Sequence, residues 1–259
     1  MNIDLAGRSA VVTGASRGIG LAVTRALAAS GARVTAGART SSAELGKLAV
    51  DSGVVVIEAD LADPAGPAGL VAAAGDRVDI VVNNVGGAPA RTGGFLSITD
   101  EDWLASLNIN LMAAVRTCRA ALPAMLAAGK GAIVNICSVN SVLSDPAVMD
   151  YSAAKAALAS FSKALSKEIG GRGVRVNTIS PGPVATDLWL GEHGVAATVG
   201  GATGTRPAEV ASQAAAGMVT GRFSTPDEVA GLVLVLASDL AANVTGSDIR
   251  IDGGLVPTW

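Results

Sequence analysis

The 259-residue sequence contains one tyrosine, Tyr151, one histidine, His193, and only 3% aromatic residues, so its core must be packed with Ala, Val, Leu and Ile. Cysteine is nearly missing too. Cys118 and Cys137 stand far apart and match no metal-ligand spacing, which excludes a disulfide framework and a cysteine-based metal site; buried free thiols in a reducing cytoplasm are expected, and no metal. Cys137 adjoins Ser138 and is expected to make the protein sensitive to thiol reagents. There is no excess of basic charge. A formal net charge of -3 and a pI near 5.2 leave no surface of the kind nucleic acid needs. No uninterrupted apolar run approaches the ~20 residues of a membrane span, and Met1–Leu5 lacks the basic-then-apolar pattern of a signal peptide. The expectation is a cytoplasmic protein with no membrane partner. No Pro- or Ser-rich linker and no repeat divides the chain, so residues 1–259 read as one domain, and 50% hydrophobic against 16% charged residues suffices for a large core.

What is present follows a rhythm of short apolar runs and helical segments. Ser9 to Val12 reads as a strand and leads into Thr13-Gly14-Ala15-Ser16-Arg17-Gly18-Ile19-Gly20, with helix-forming composition from Leu21 to Ser30. Strand, glycine-rich turn and helix in that order suit a dinucleotide, because glycine lets the backbone approach a pyrophosphate and the helix start supplies N–H groups and a favourable dipole. Further strands are expected at Arg33–Ala38, Val54–Ala59, Asp79–Val82, Ala132–Cys137, Val174–Ile179 and Ile249–Ile251. Asp63-Pro64 is expected to cap and open a helix, as are Thr99 with three following acids and the Thr225-Pro226-Asp227-Glu228 capping box. Strands alternating with helices in this way predict an α/β doubly wound, three-layer sandwich with a mainly parallel seven-stranded sheet.

The candidate chemistry lies between Ser138 and Lys155. Lys155 follows Tyr151 at i+4, which puts both side chains on one helix face. A nearby ammonium favours the phenolate, so the spacing predicts a tyrosine of lowered pKa able to give and take protons near neutrality. Ser138 ends an apolar strand, where open α/β sheets hold ligands. Asn108 and Asn110 stand inside an expected helix, although asparagine is a poor helix former, and a role for one of them is expected.

Taken together, Thr13-Gly14-x-x-x-Gly18-x-Gly20, Asn83-Asn84-x-Gly86, Asn110, Ser138, Tyr151-x-x-x-Lys155 and Pro181-Gly182 with Thr186 resemble the short-chain dehydrogenase/reductase family over almost the whole chain. Val85 departs from the alanine usual there. The resemblance implies a single Rossmann domain binding NAD(P), with Tyr151 as proton donor to the nascent alkoxide, Ser138 orienting the substrate oxygen, Lys155 also holding the nicotinamide ribose, and Asn110 holding a relay water. It further implies that Gly14, Ser16, Arg17, Gly18, Ile19 and Gly20 bind the cofactor phosphates. Asp60 and Leu61 would flank the adenine, Asn84 and Gly86 line the channel, and Pro181, Gly182, Val184 and Thr186 cover the nicotinamide. A homotetramer, or at least a dimer, is implied as well.

NADP(H) is the expected cofactor, because Ala38 stands where NAD enzymes carry a ribose-binding acid, and Arg17 and Arg39 flank that position. Residues 187–222, rich in glycine and without clear periodicity, are expected to form a mobile substrate lid, with Leu188 and Trp189 giving an apolar wall. The substrate is then a carbonyl or secondary alcohol that is apolar around the reacting carbon. It could be free or carrier-protein-bound: the core resembles 3-oxoacyl-carrier-protein reductases, and Arg172 matches one of their two basic docking positions while Gly129, beside Lys130, stands at the other. Two other classes compete. A serine hydrolase would need His193 as base for Ser138, and a cofactor-sensing or scaffold protein would keep the fold without turnover.

Overall fold

In the computed structural model, which describes residues 3–258, the apolar runs become β1 (Ser9–Thr13), β2 (Arg33–Ala38), β3 (Val55–Glu58), β4 (Ile80–Asn83), β5 (Gly131–Ile136), β6 (Val174–Pro181) and β7 (Asp248–Ile251). They pair in the order β3-β2-β1-β4-β5-β6-β7, and every neighbouring pair is parallel. The chain moves outward from β1 in one direction and resumes with β4 on the other side of β1. That reversal opens a crevice at the carboxyl ends of β1 and β4, where a doubly wound sheet takes its ligand.

β1, β4 and β5 are buried along their whole length, because helices cover both faces and leave no reason for polar alternation. Alternate residues feed two cores. Val12, Val34, Val82 and Val134 pack with Leu27 of α1 (Gly18–Ala29), Leu45 of α2 (Ala43–Ser52) and Val233 of α10 (Pro226–Ala237). Val11, Val81, Ile133 and Val176 face the other way, toward Leu70 of α3 (Gly66–Ala72), Met125 of α5 (Ala113–Ala128) and Leu165 of α6 (Met149–Ile169). The three-layer sandwich is thus built on strand alternation.

Between α4 (Asp100–Leu107) and α5 the helix widens into one π-helical turn, Asn108–Met112. Both capping boxes form, Thr99 with Asp102 and Thr225 with Glu228. Asp63-Pro64, by contrast, does not open a helix. The Asp63 carboxylate accepts from the Ala65 N–H at 2.8 Å and its carbonyl from the Gly66 N–H at 3.1 Å, so the segment is a turn and α3 starts at Gly66.

Residues 187–222 also differ from expectation, for they carry α7 (Asp187–Leu190), α8 (Val195–Thr203) and α9 (Pro207–Ala216). Gly191, Gly194 and Gly204 stand at helix ends and punctuate this Ala-rich segment rather than loosening it. The expectation about apolar length needs amending too. The continuous helical run Asp100–Ala128 is long and apolar enough, by length and composition, to cross a membrane. Within the fold one stripe of it, Ala113, Thr117, Cys118, Ala121 and Met125, is buried.

Candidate active site

The turn after β1 shows why its glycines are there. Gly14 and Gly18 have φ of 66° and 54°, the left-handed region that other residues avoid. At Gly20 a Cβ would lie 2.1 Å from the Gly14 carbonyl and 2.5 Å from Asn84 Nδ2. Asn84 pins the turn by donating from Nδ2 to the carbonyls of Thr13 and Gly14 at 3.1 and 3.0 Å. Thr13 Oγ1 accepts in return from the N–H groups of Asn84 and Val85 at 2.9 and 3.0 Å. The first turn of α1 has neither a side-chain cap nor an acidic residue. A bare backbone cradle and uncapped N–H groups fit the pyrophosphate of a dinucleotide. The residues present therefore suit the cofactor that the sequence implies.

Around this turn the other expected cofactor residues divide. Thr186, at the N-cap position of α7 but with no side-chain cap bond, faces Gly18, and its Cγ2 lies 3.1 Å from where a Cβ on that glycine would be. Arg17 reaches Asp187 at 3.8 Å, linking the glycine turn to α7. Arg39 is exposed just past buried Ala38. Pro181 and Val184 are buried, and the Gly182 N–H donates to the Ile251 carbonyl at 3.0 Å. Ser16 and Ile19 are half-buried. Asp60 lies exposed beyond β3 with Oδ1 accepting from the Ala62 N–H. Leu61 departs from expectation in part: its side chain belongs to the core with Val11 and Leu70, so only its backbone can face a ligand. A cavity of about 270 Å³ adjoins the turn between Leu21, Thr186 and Asp227; Asn110, Ser138, Tyr151 and Lys155 do not line it.

At the ends of β4 and β5 the expected catalytic residues converge. Lys155 is buried at 3% exposure, and its Nζ donates to the Ile136 carbonyl at 2.8 Å while lying 5.7 Å from the centroid of the Tyr151 ring. Asn110, buried in the π-helical turn, donates from Nδ2 to the carbonyls of Gly87 and Ser106 at 2.9 and 3.1 Å, and its Oδ1 accepts from the Gly87 N–H at 3.1 Å. Gly86 brings these together, since a Cβ there would be 2.7 Å from Asn110 Oδ1 and 3.4 Å from Lys155 Nζ. Asn108 serves elsewhere, donating to the Ala62 carbonyl at 2.8 Å and accepting from Arg116 at 2.7 Å. Ser138 Oγ donates to Asn140 Oδ1 and accepts from the Asn140 N–H, both at 3.1 Å. Its partner is thus an amide and not His193, which is exposed in the 187–222 segment.

Electrostatics overturn one expectation. Burial pushes Tyr151 up to about 12; the neighbouring Ser138 hydroxyl pulls it down and Cys137 raises it further. Burial also lowers Lys155, opposed by Cys137. Helical spacing placed the ammonium near the ring, but loss of solvent is the largest influence on the phenol in the chain alone. The same burial pushes the thiols of Cys118 and Cys137 up to about 12, so the anticipated reactivity of Cys137 is not supported. Of the substrate wall, Trp189 is half-buried and meets Phe223 edge-on, centroids 5.3 Å apart and planes at 72°, while Leu188 and Leu190 are exposed. Sequence reading missed Arg91, whose guanidinium reaches Asp150 at 2.6 Å, next to Tyr151; no motif marks it.

Comparison with known proteins agrees with this geometry. A family profile described as enoyl-(acyl carrier protein) reductase matches residues 14–256. The D-threitol dehydrogenase of Mycolicibacterium smegmatis is 40% identical over 261 residues, covering 96% of this chain and 93% of that protein. The 3-oxoacyl-[acyl-carrier-protein] reductase of Escherichia coli is 34% identical over 262 residues, covering 98% and 99%. L-Sorbose reductase from Gluconobacter frateurii, solved with NADPH and L-sorbose, superposes over 100% of both chains with a TM-score of 0.90 and 32% identity. With its parallel sheet, glycine cradle and Tyr-x-x-x-Lys helix, this chain belongs to the short-chain dehydrogenase/reductase family of oxidoreductases.

Proposed function

We propose that the protein is an NADP(H)-dependent oxidoreductase that interconverts a carbonyl and a secondary alcohol, with Tyr151 as general acid and base. The observation that carries this reading is the convergence of Lys155 and Asn110 on Gly86, with the Tyr151 ring centroid 5.7 Å from Lys155 Nζ, beside a backbone cradle shaped for a dinucleotide. The reduced nicotinamide supplies the hydride. Ser138 Oγ, held by Asn140, orients the carbonyl oxygen, and Tyr151, protonated in the resting chain, gives its proton to the alkoxide oxygen. Lys155 holds the ribose and, with Asn110, returns a proton to Tyr151 from solvent. Gly14 to Gly20 hold the phosphates, and Arg17 and Arg39 hold the 2′-phosphate, since Ala38 offers no competing acid.

Free ketones are favoured over carrier-bound thioesters as substrate. Lys130, the residue beside Gly129 in the half-matched docking patch, is paired with Asp239 at 3.2 Å. The similar D-threitol dehydrogenase and L-sorbose reductase, named for a polyol and a ketose, support the same choice. The α7–α9 segment is proposed as a lid over this crevice, and the assembly as a homotetramer, for which light scattering is the test. The function itself is tested by NADPH consumption across ketoses, apolar ketones and 3-oxoacyl thioesters. Reduction of one free-ketone class is expected; NADPH binding with no reduction of any of them would favour a sensing or scaffold role instead.

A further inference from the structure

We infer that Arg91 is a positioning residue, fixing the wall of the crevice against the helical turn that carries Tyr151. This rests on the role proposed for Tyr151. The segment that leaves β4 is fastened at two points, one on groups of the site and one on the turn that leads into Tyr151. At the first, Gly87 exchanges two hydrogen bonds with the Asn110 side chain, and Gly86 lies over Lys155. At the second, the Arg91 N–H donates to the Ala147 carbonyl at 2.6 Å. Its guanidinium there grips both oxygens of Asp150, at 2.6 and 3.3 Å, and donates to Asp102 Oδ1 at 2.9 Å. Asp150 is the residue before Tyr151, in the first turn of α6.

Among the ion pairs of the described residues, Arg91–Asp150 is the least exposed, with side chains 16% and 0% accessible. Exchanging a buried ion pair for apolar side chains is often neutral or stabilising, so stability alone is a poor reason for this one. Its contribution is directional. A planar guanidinium on two carboxylate oxygens sets an orientation that a lysine point charge cannot. Ala88, Pro89 and Ala90, which carry no polar side chain, are thereby held as a short strap between Asn110 and Asp150. Releasing the Arg91 end frees the strap and Tyr151 to move relative to each other, while the glycine cradle, on the other side of Asn84, keeps its hydrogen bonds.

Tyr151 is the only tyrosine, so biosynthetic 3-fluorotyrosine gives one fluorine resonance that reports its ring alone. The full chain is compared with Arg91→Gln, Arg91→Lys, Asp150→Asn and, as a control on an ion pair at the amino end of the sheet, away from the site, Arg8→Gln. In Arg91→Gln the resonance is expected to shift and broaden, and kcat for the best ketone to fall ~10- to 100-fold, as small misplacements of reacting groups do. NADPH affinity is expected to stay within about twofold by the same reasoning, since the cradle is separate. Arg91→Lys falls between the parent and Arg91→Gln, and Arg8→Gln matches the parent. An Arg91→Gln protein with the parental resonance and kcat overturns the inference, even if it melts at a lower temperature. If Arg91→Gln does not fold, Asp150→Asn, which keeps shape and an acceptor, decides on the same readouts. A parent chain that reduces no ketone defeats the proposed function, while the fluorine comparison still decides the role of Arg91.

Discussion

Raising the pH of the cofactor-free protein titrates a single phenol, because Tyr151 has no competitor in the sequence. Burial moves it from 10.0 up to about 12, Ser138 opposing and Cys137 adding to the shift. Lys155 does not reverse this: its own charge is disfavoured by burial, and its Nζ is engaged by the Ile136 carbonyl. Above pH ~10 the unfolded chain loses a proton that the folded chain keeps, so this contribution to stability is complete below pH ~10 and is lost as pH rises through the folded value. Two pKa units, from 10.0 to about 12, correspond to ~3 kcal/mol at most, less because the tyrosine is only half-buried. Binding of NADP⁺ would add a positive charge near the ring. At ~5 Å and an effective dielectric of ~20 that is worth ~3 kcal/mol, or ~2 pKa units. The assay is phenolate absorbance against pH, with and without saturating NADP⁺; the three tryptophans contribute a background that does not titrate. The expected midpoint lies near 12 in the free protein and ~2 units lower in the complex. A free-protein midpoint at or below the ordinary value would refute the burial argument, and an unmoved midpoint with NADP⁺ would refute the placement of Tyr151 beside the nicotinamide.

Three further outcomes follow from the same geometry. Gly20→Ala puts a methyl group 2.1 Å from the Gly14 carbonyl, so it should destabilise the fold by ~1–3 kcal/mol and abolish NADPH binding; thermal unfolding and a fluorescence titration check both, and parental affinity contradicts the cradle. Arg17→Ala with Arg39→Ala should remove a NADPH-over-NADH preference of ~100-fold or more in kcat/KM, at ~1.5–3 kcal/mol per charge-assisted bond; equal use of both cofactors by the parent sinks that assignment. Trp189→Ala removes the edge contact with Phe223 and should raise KM for bulky apolar ketones more than for small polar ones, with NADPH protecting residues 187–222 from protease in the parent. Equal effects on both substrate classes, or equal cleavage with and without NADPH, count against the lid.

Strand positions and the glycine turn were readable where local pattern coincides with tertiary demand. β2 matches its apolar run at Arg33–Ala38, and the glycines of the first turn have the close approaches their spacing implied. The Thr225 box was legible because its partners are three residues apart. Asp63-Pro64 misled because an aspartate can cap a tight turn as well as a helix, and Gly66, packed against the Asp60 carbonyl, sets the true start of α3. Residues 187–222 misled because glycines at helix ends dilute the periodicity of the three helices between them. The ionisation of Tyr151 was out of reach for another reason. Spacing shows who its neighbours are on one helix, whereas burial depends on the crevice walls that the rest of the chain folds around it. Arg91 lies 59 residues from Asp150, and no local pattern announces so distant a pair.

The most direct measurement compares the parent chain with Tyr151→Phe, following NADPH oxidation in a single turnover with the best ketone and NADPH binding by fluorescence. Phenylalanine preserves the ring but has no proton to give, so the expected result is NADPH affinity within about twofold and a rate at least ~100-fold lower, as removal of a general acid typically causes. A Phe variant that keeps more than about a tenth of the parental rate, on that same scale for general acids, would contradict the assignment of Tyr151 on which the whole reading depends.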